Sequence, residues 1–138
     1  MSFLRSRRNS QIHPLIKQSL ADTFTDQEMV ALSRRGTVAT LAAGQRFATE
    51  GAVGQEAVVV LEGTADVIRD NAVIVTVGAG TVLGELALLT GEPRNASLEA
   101  HDELSILVMT RREFNSVLDQ CPRLAAQIEN LAMERSAV

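Results

Sequence analysis

At 138 residues, 46% of them hydrophobic, the chain has room for one domain built around one sizeable core. Its net charge of −4, with twelve Arg and one Lys scattered apart from Arg5, Arg7 and Arg8, argues against a polyanion-binding surface. A single cysteine, Cys121, leaves no intramolecular disulfide, and His13 and His101 alone cannot assemble a zinc site, so a metal-free cytoplasmic protein is expected.

Residues 1–13 set three arginines among Ser2, Ser6, Asn9, Ser10 and Gln11, which reads as a solvated, flexible tail ahead of a domain over 14–138. No apolar leader follows these arginines, and no run reaches the ~18 apolar residues of a membrane span, so a soluble chain is expected. Leu15, Ile16 and Leu20 fall at helical spacing after Pro14 and predict a short helix. Thr25-Asp-Gln-Glu28 fits a capping box, with Met29, Val30 and Leu32 as the apolar face behind it, which predicts a helix over Asp26–Arg35 closed by Gly36.

From Thr37 the pattern changes to short β-branched runs, at Thr37–Leu41, 57–61, Ala65–Arg69, 73–77, Ser97–Ala100 and 104–109. Gly44, Gly51, Gly54, Gly63, Asp70-Asn71, Gly78 and Gly80 punctuate them. Evenly spaced short strands with turn signals predict a mainly β fold with flanking helices, an antiparallel barrel, sandwich or roll. Thr110-Arg-Arg-Glu113 is a second capping box, and Phe114, Val117 and Leu118 supply the apolar face of a helix ending near Gln120. Pro122 suits the first turn of a last helix over 122–135. Leu124, Ile128 and Leu131 form one narrow stripe on it, to be covered by the β-roll or by a second copy of the chain in a homodimer.

Between the strands stands Gly84-Glu-Leu-Ala-Leu-Leu-Thr-Gly-Glu-Pro-Arg-Asn-Ala-Ser97. Glu85–Leu89 is a short helix former, and the Gly91-Glu-Pro93 turn delivers Arg94 back toward it. A helix this short offers an anion its unpaired N-terminal amides, and a returning arginine adds a planar fork for two oxygens. A carboxylate beside such a site repels a phosphate unless a hydroxyl stands between them. The Glu85–Arg94 spacing therefore suits a ligand that carries a sugar hydroxyl and a phosphate close together, as a 3′,5′-cyclic nucleotide does.

Gly84-Glu-Leu-Ala followed by Pro93-Arg94-Asn-Ala-Ser97 resembles the phosphate-binding cassette of cyclic-nucleotide-binding domains, such as those of catabolite activators, protein kinase A regulatory subunits and cyclic-nucleotide-gated channels. Ala43-Gly44-Gln-Arg-Phe47, Glu50-Gly51 and Val58–Gly63 resemble the early strands of the same β-roll, so the likeness covers roughly Phe24 to Arg135. It implies an antiparallel, jelly-roll-like β-roll with N-terminal helices, a cassette helix and two C-terminal helices. It also implies that Glu85 accepts from the ribose 2′-hydroxyl, that Arg94 binds the exocyclic phosphate oxygens, and that the amides of Ala87 and Asn95 complete the site. Gly84 matches the glycine that lets the chain approach the sugar, Leu86 and Leu88 anchor the small helix, and Leu86 and Ala96 count with Gly84, Glu85, Ala87, Arg94 and Asn95 as ligand-binding residues. Asn95 stands where many relatives carry Ala, Ser or Thr; lacking the hydroxyl associated with guanine, it points to cyclic AMP rather than cyclic GMP.

The expected function is a cyclic-nucleotide sensor that signals through its last helix to an effector protein; it is not an enzyme and needs no cofactor. The alternative is a ligand-independent interaction module on the same roll. A cupin-type metal enzyme lacks its histidines here, and no DNA-binding module is expected after the last helix. His101 reads as a turn residue, Cys121 as a helix-cap residue and Arg135 as a solvated terminal side chain.

Overall fold

The computed structural model describes residues 5–7, 20 and 23–127. Helix α1 (Asp26–Arg35) begins at the expected capping box: the Thr25 hydroxyl accepts from the Glu28 amide at 3.2 Å and the Glu28 carboxylate accepts from the Thr25 amide at 2.9 Å. Of the preceding predicted helix only Leu20 lies within the described residues, and it is helical and buried.

Among the described residues there are nine strands, of which all but the first follow the glycine punctuation. They are β1 (Arg5–Arg7), β2 (Thr37–Leu41), β3 (Arg46–Ala48), β4 (Glu56–Glu62), β5 (Ala65–Arg69), β6 (Ala72–Val77), β7 (Val82–Leu83), β8 (Ser97–Ala100) and β9 (Leu104–Thr110). They pair antiparallel into a five-stranded sheet, β1-β2-β9-β4-β7, and a four-stranded sheet, β3-β8-β5-β6. The expected mainly β roll with flanking helices is the architecture found. The Asp70-Asn71 turn between β5 and β6 has both residues at positive φ, 53° and 64°, the mirror-image turn that matches strand twist.

Helix α2 (Glu85–Thr90) interrupts the strands where expected, and α3 (Arg111–Gln120) starts at the second capping box, between Thr110 and Glu113. Residues 122–127 form the described part of α4; Ile128, Leu131 and the rest of the predicted last helix lie outside the described residues.

Alternation along the central strands explains the layering. In β4, Ala57, Val59 and Leu61 face a cluster shared with Phe24, Met29, Leu32, Phe114 and Leu124 of the helical layer. Val58 and Val60 point the other way, to a cluster between the sheets with Phe47, Leu98 and Ile106. A strand covered on both faces reads as an unbroken apolar run, and Ala-Val-Val-Val-Leu is such a run.

One expectation at the N-terminal end and one in the sheets differ from what is found. Arg5–Arg7, read as part of a flexible tail over 1–13, pairs with β2 as an edge strand, Ser6 opposite Ala39. An edge strand paired on one side tolerates polar residues, so composition alone resembled a tail. The boundary at 13/14 falls outside the described residues. The short strands β3 and β7 were not predicted as separate strands either, being too brief to show a period.

Candidate functional site

Gly84 sits at the N-cap of α2 with φ 77°, and Gly91 closes the helix at φ 73°, its amide donating to the Ala87 carbonyl at 3.0 Å. Only six residues separate the two glycines, so the amides of the first turn, Ala87 included, have no carbonyl within the helix to bond. Glu85 opens that turn and is 1% exposed. Leu88 is buried in the helical cluster and anchors α2, while Gly54 packs so tightly on the opposite face that a Cβ there would lie 2.4 Å from that of Ala87. Leu86 lies in the same turn by its backbone.

The segment after Gly91 returns as the sequence suggested. Arg94 is clamped by its backbone to the 49–54 loop: its amide donates to the Ala52 carbonyl at 2.9 Å, and its carbonyl accepts from the Gly51 amide at 2.8 Å. Its half-buried guanidinium donates through Nη2 to the Glu56 carbonyl at 2.9 Å. It passes so close beneath Gly84 that a Cβ on that glycine would meet Nη1 at 2.5 Å. Burial pushes the Arg94 guanidinium below the ordinary arginine range, with Glu56 and Glu85 opposing the shift. Burial also pushes the Glu56 carboxyl up; the nearby Arg94 charge pulls it back and Glu113 adds to the rise. A cation that has lost its hydration and is only partly compensated favours the arrival of an anion.

Gly84, Glu85, Ala87, Arg94, Asn95 and Ala96 all line one cavity of about 270 Å³, partly open to solvent. Its volume lies near the lower end of the range of small-molecule sites, which begin at about 300 Å³. Its other wall comes from the β5–β6 hairpin, where Val67, Ile74, Val75 and Val77 line it. Between Val67 and Ile68 the register slips, so that Val75 and Val73 face successive residues of β5 and Ile74 is the extra one. The sequence reading missed this wall, together with Arg69, Glu56 and Gly54. A signal for the wall was present in Ala-Val-Ile-Val, an apolar run without alternation beside a two-residue turn.

His101 and Cys121 stand apart from the cavity. His101 pairs with Asp66 at 3.1 Å on the four-stranded sheet, and Cys121 is buried at the C-cap of α3. Among the described residues no group of three or more His, Cys, Asp or Glu side chains could hold a metal ion.

Residues 38–121 match the family model described as the cyclic nucleotide-binding domain. The chain is 33% identical over 93 residues to a cyclic nucleotide-gated potassium channel of Rhizobium etli, an alignment covering 67% of this chain and 26% of the channel. It is 31% identical over 107 residues to one of Mesorhizobium japonicum, covering 78% of this chain and 30% of the channel. It therefore spans less than a third of the length of these curated relatives. In fold it is similar to a cyclic nucleotide-binding domain from Methylobacillus flagellatus, with a TM-score of 0.72 at 22% identity over 97% of this chain and 88% of the other.

Proposed function

The chain belongs to the cyclic nucleotide-binding domain family, and from that premise we propose that its cavity takes one 3′,5′-cyclic nucleotide, cyclic AMP by preference, and that the chain acts as a regulatory sensor rather than an enzyme. The observation that carries this reading is the convergence of buried Glu85 and the half-buried Arg94 guanidinium on one small cavity. Arg94 would bind the exocyclic phosphate oxygens, with the amides of Ala87 and Asn95, and Glu85 would accept from the ribose 2′-hydroxyl between them. Asn95 lines the same cavity without the hydroxyl that would favour guanine.

The signal would leave through α4. Leu124 is buried in the helical cluster, so a displacement at α2, which shares that cluster through Leu88, has a packed route to the C-terminal helix. The effector would be a protein partner or a further part of a longer polypeptide working at the cytoplasmic side. No described helix is long and apolar enough to cross a membrane.

Isothermal titration with cyclic AMP and cyclic GMP tests the reading. Cyclic AMP should bind more tightly, and Arg94→Ala should cost about 2–5 kcal/mol of binding, the loss typical of a desolvated charge partner. A 2′-deoxy analogue should bind the wild type worse, with little further loss in Glu85→Ala. One observation favours the rival reading of a docking module: Val73, which does not line the cavity, is 56% exposed on the edge strand β6. Absence of binding heat with either nucleotide in folded protein would leave that rival standing.

A further inference from the structure

We infer that Arg69 is a further ligand-binding residue of this cavity, one that holds the nucleotide base against the plane of its guanidinium. The inference rests on the reading of the site as a cyclic-nucleotide pocket and adds to it the group that recognises the base.

Arg69 ends β5, next to the tight turn, and lines the cavity. Its Nε donates to the Asn95 carbonyl at 3.0 Å, a bond that ties the end of the hairpin to the residue following Arg94 and limits rotation of the guanidinium. Among the described residues it takes part in no ion pair, unlike Arg46 and Arg123. A partly buried arginine that lines the cavity and is tethered through Nε keeps its terminal Nη donors and its guanidinium plane for another partner.

The chemistry of a purine explains what that partner is. A base is a flat π system and is commonly held by aromatic rings or by guanidinium planes. The chain has no Trp or Tyr, and its described phenylalanines, Phe24, Phe47 and Phe114, are all buried in the core. The aliphatic residues lining the cavity give a base shape and dryness but no planar partner. Arg69 supplies one, while Arg94, under Gly84 and bonded to the Glu56 carbonyl, serves the phosphate end. Stacking does not depend on the base edge, so Arg69 sets how tightly a purine is held and Asn95 sets which purine.

Wild type, Arg69→Ala and Arg69→Lys should each be titrated with cyclic AMP and with ribose 3′,5′-cyclic phosphate, which has the sugar and phosphate but no base. Arg69→Ala should bind cyclic AMP about five- to thirty-fold more weakly, the range of a partly desolvated cation–π contact, and bind the base-free probe as wild type does. Arg69→Lys, which keeps the charge and loses the plane, should follow the alanine variant. Unchanged cyclic AMP affinity in Arg69→Ala would overturn the inference. So would an equal loss on both probes, which would make Arg69 a strut for the cassette, or wild-type affinity in Arg69→Lys, which would make charge alone sufficient. If wild type binds neither probe, the cyclic-nucleotide reading falls and takes this inference with it, whereas the three preceding failures leave that reading intact.

Discussion

Gly84 carries more of the site than its lack of a side chain suggests. Its φ of 77° is a conformation that L side chains adopt at a cost, and its missing Cβ is the space through which Arg94 reaches the cavity. Gly84→Ala should lose about 1–2 kcal/mol of folding stability from backbone strain. It should also weaken nucleotide binding beyond that strain, because the guanidinium must move; urea unfolding and titration measure the two effects separately. Glu56 makes a different prediction. Because the folded chain raises its pKa by burial, it holds the Glu56 proton more tightly than the unfolded chain does. Below the ordinary carboxylate range both states are protonated and nothing is lost, and stability falls as pH rises through the raised folded pKa. Glu56→Gln should therefore flatten that fall and leave the acid side unchanged, with a gain at pH 7 below about 1 kcal/mol because solvent screens the group. Denaturation midpoints from pH 4 to 8 would show a slope no smaller than wild type if this assignment is wrong.

The cassette helix α2 is too short to hold itself together, and its neighbours do so. Leu88 fills the helical cluster, Gly54 lets the 49–54 loop press on Ala87, and Arg111, the first residue of α3, donates through Nη1 to the Leu88 carbonyl at 2.8 Å. That bond satisfies one of the last carbonyls of α2 and joins it to the start of α3. Arg111→Ala should speed amide exchange across residues 85–90 and cost about 1 kcal/mol of stability, with little change in β4 or β9. Equal exchange in 85–90 would show that packing alone secures the helix.

Across the whole molecule, the helical layer joins α1, before β2, to α4, after β9. Glu28 completes the capping box of α1 and also pairs with Arg123 of α4, so one buried carboxylate serves both helices. Arg123→Ala should cost about 1–3 kcal/mol, the range for a hydrogen bond to a charged group, by urea denaturation. It should also raise amide exchange in 122–127. Saturating cyclic AMP should slow exchange in 122–127 relative to the free protein, while 57–61 and 104–109 stay protected throughout. Identical exchange with and without ligand would remove α4 from the signalling route. Removal of the chain after Cys121 also takes Leu124 from the core, so such a truncation should lower stability as well as affinity.

By itself the sequence determined the longer strands and the helices α1, α2 and α3, both capping boxes, the hairpin turn at Asp70-Asn71 and the return of Arg94 toward the helix that Glu85 opens. Each is written locally, in residues a few positions apart or in a motif whose chemistry demands those side chains. The partners that hold the site were decided only in three dimensions. Arg69 reaches Asn95 across 26 residues, Arg94 reaches the Glu56 carbonyl across 38, and Arg123 reaches Glu28 across 95. Short-range periodicity carries no trace of such contacts, because they arise from sheet register and from which face of a strand meets which helix. The double burial of β4 belongs to the same class: an apolar run announces it, and only the packing of sheet against sheet and helix against sheet assigns each side chain its face.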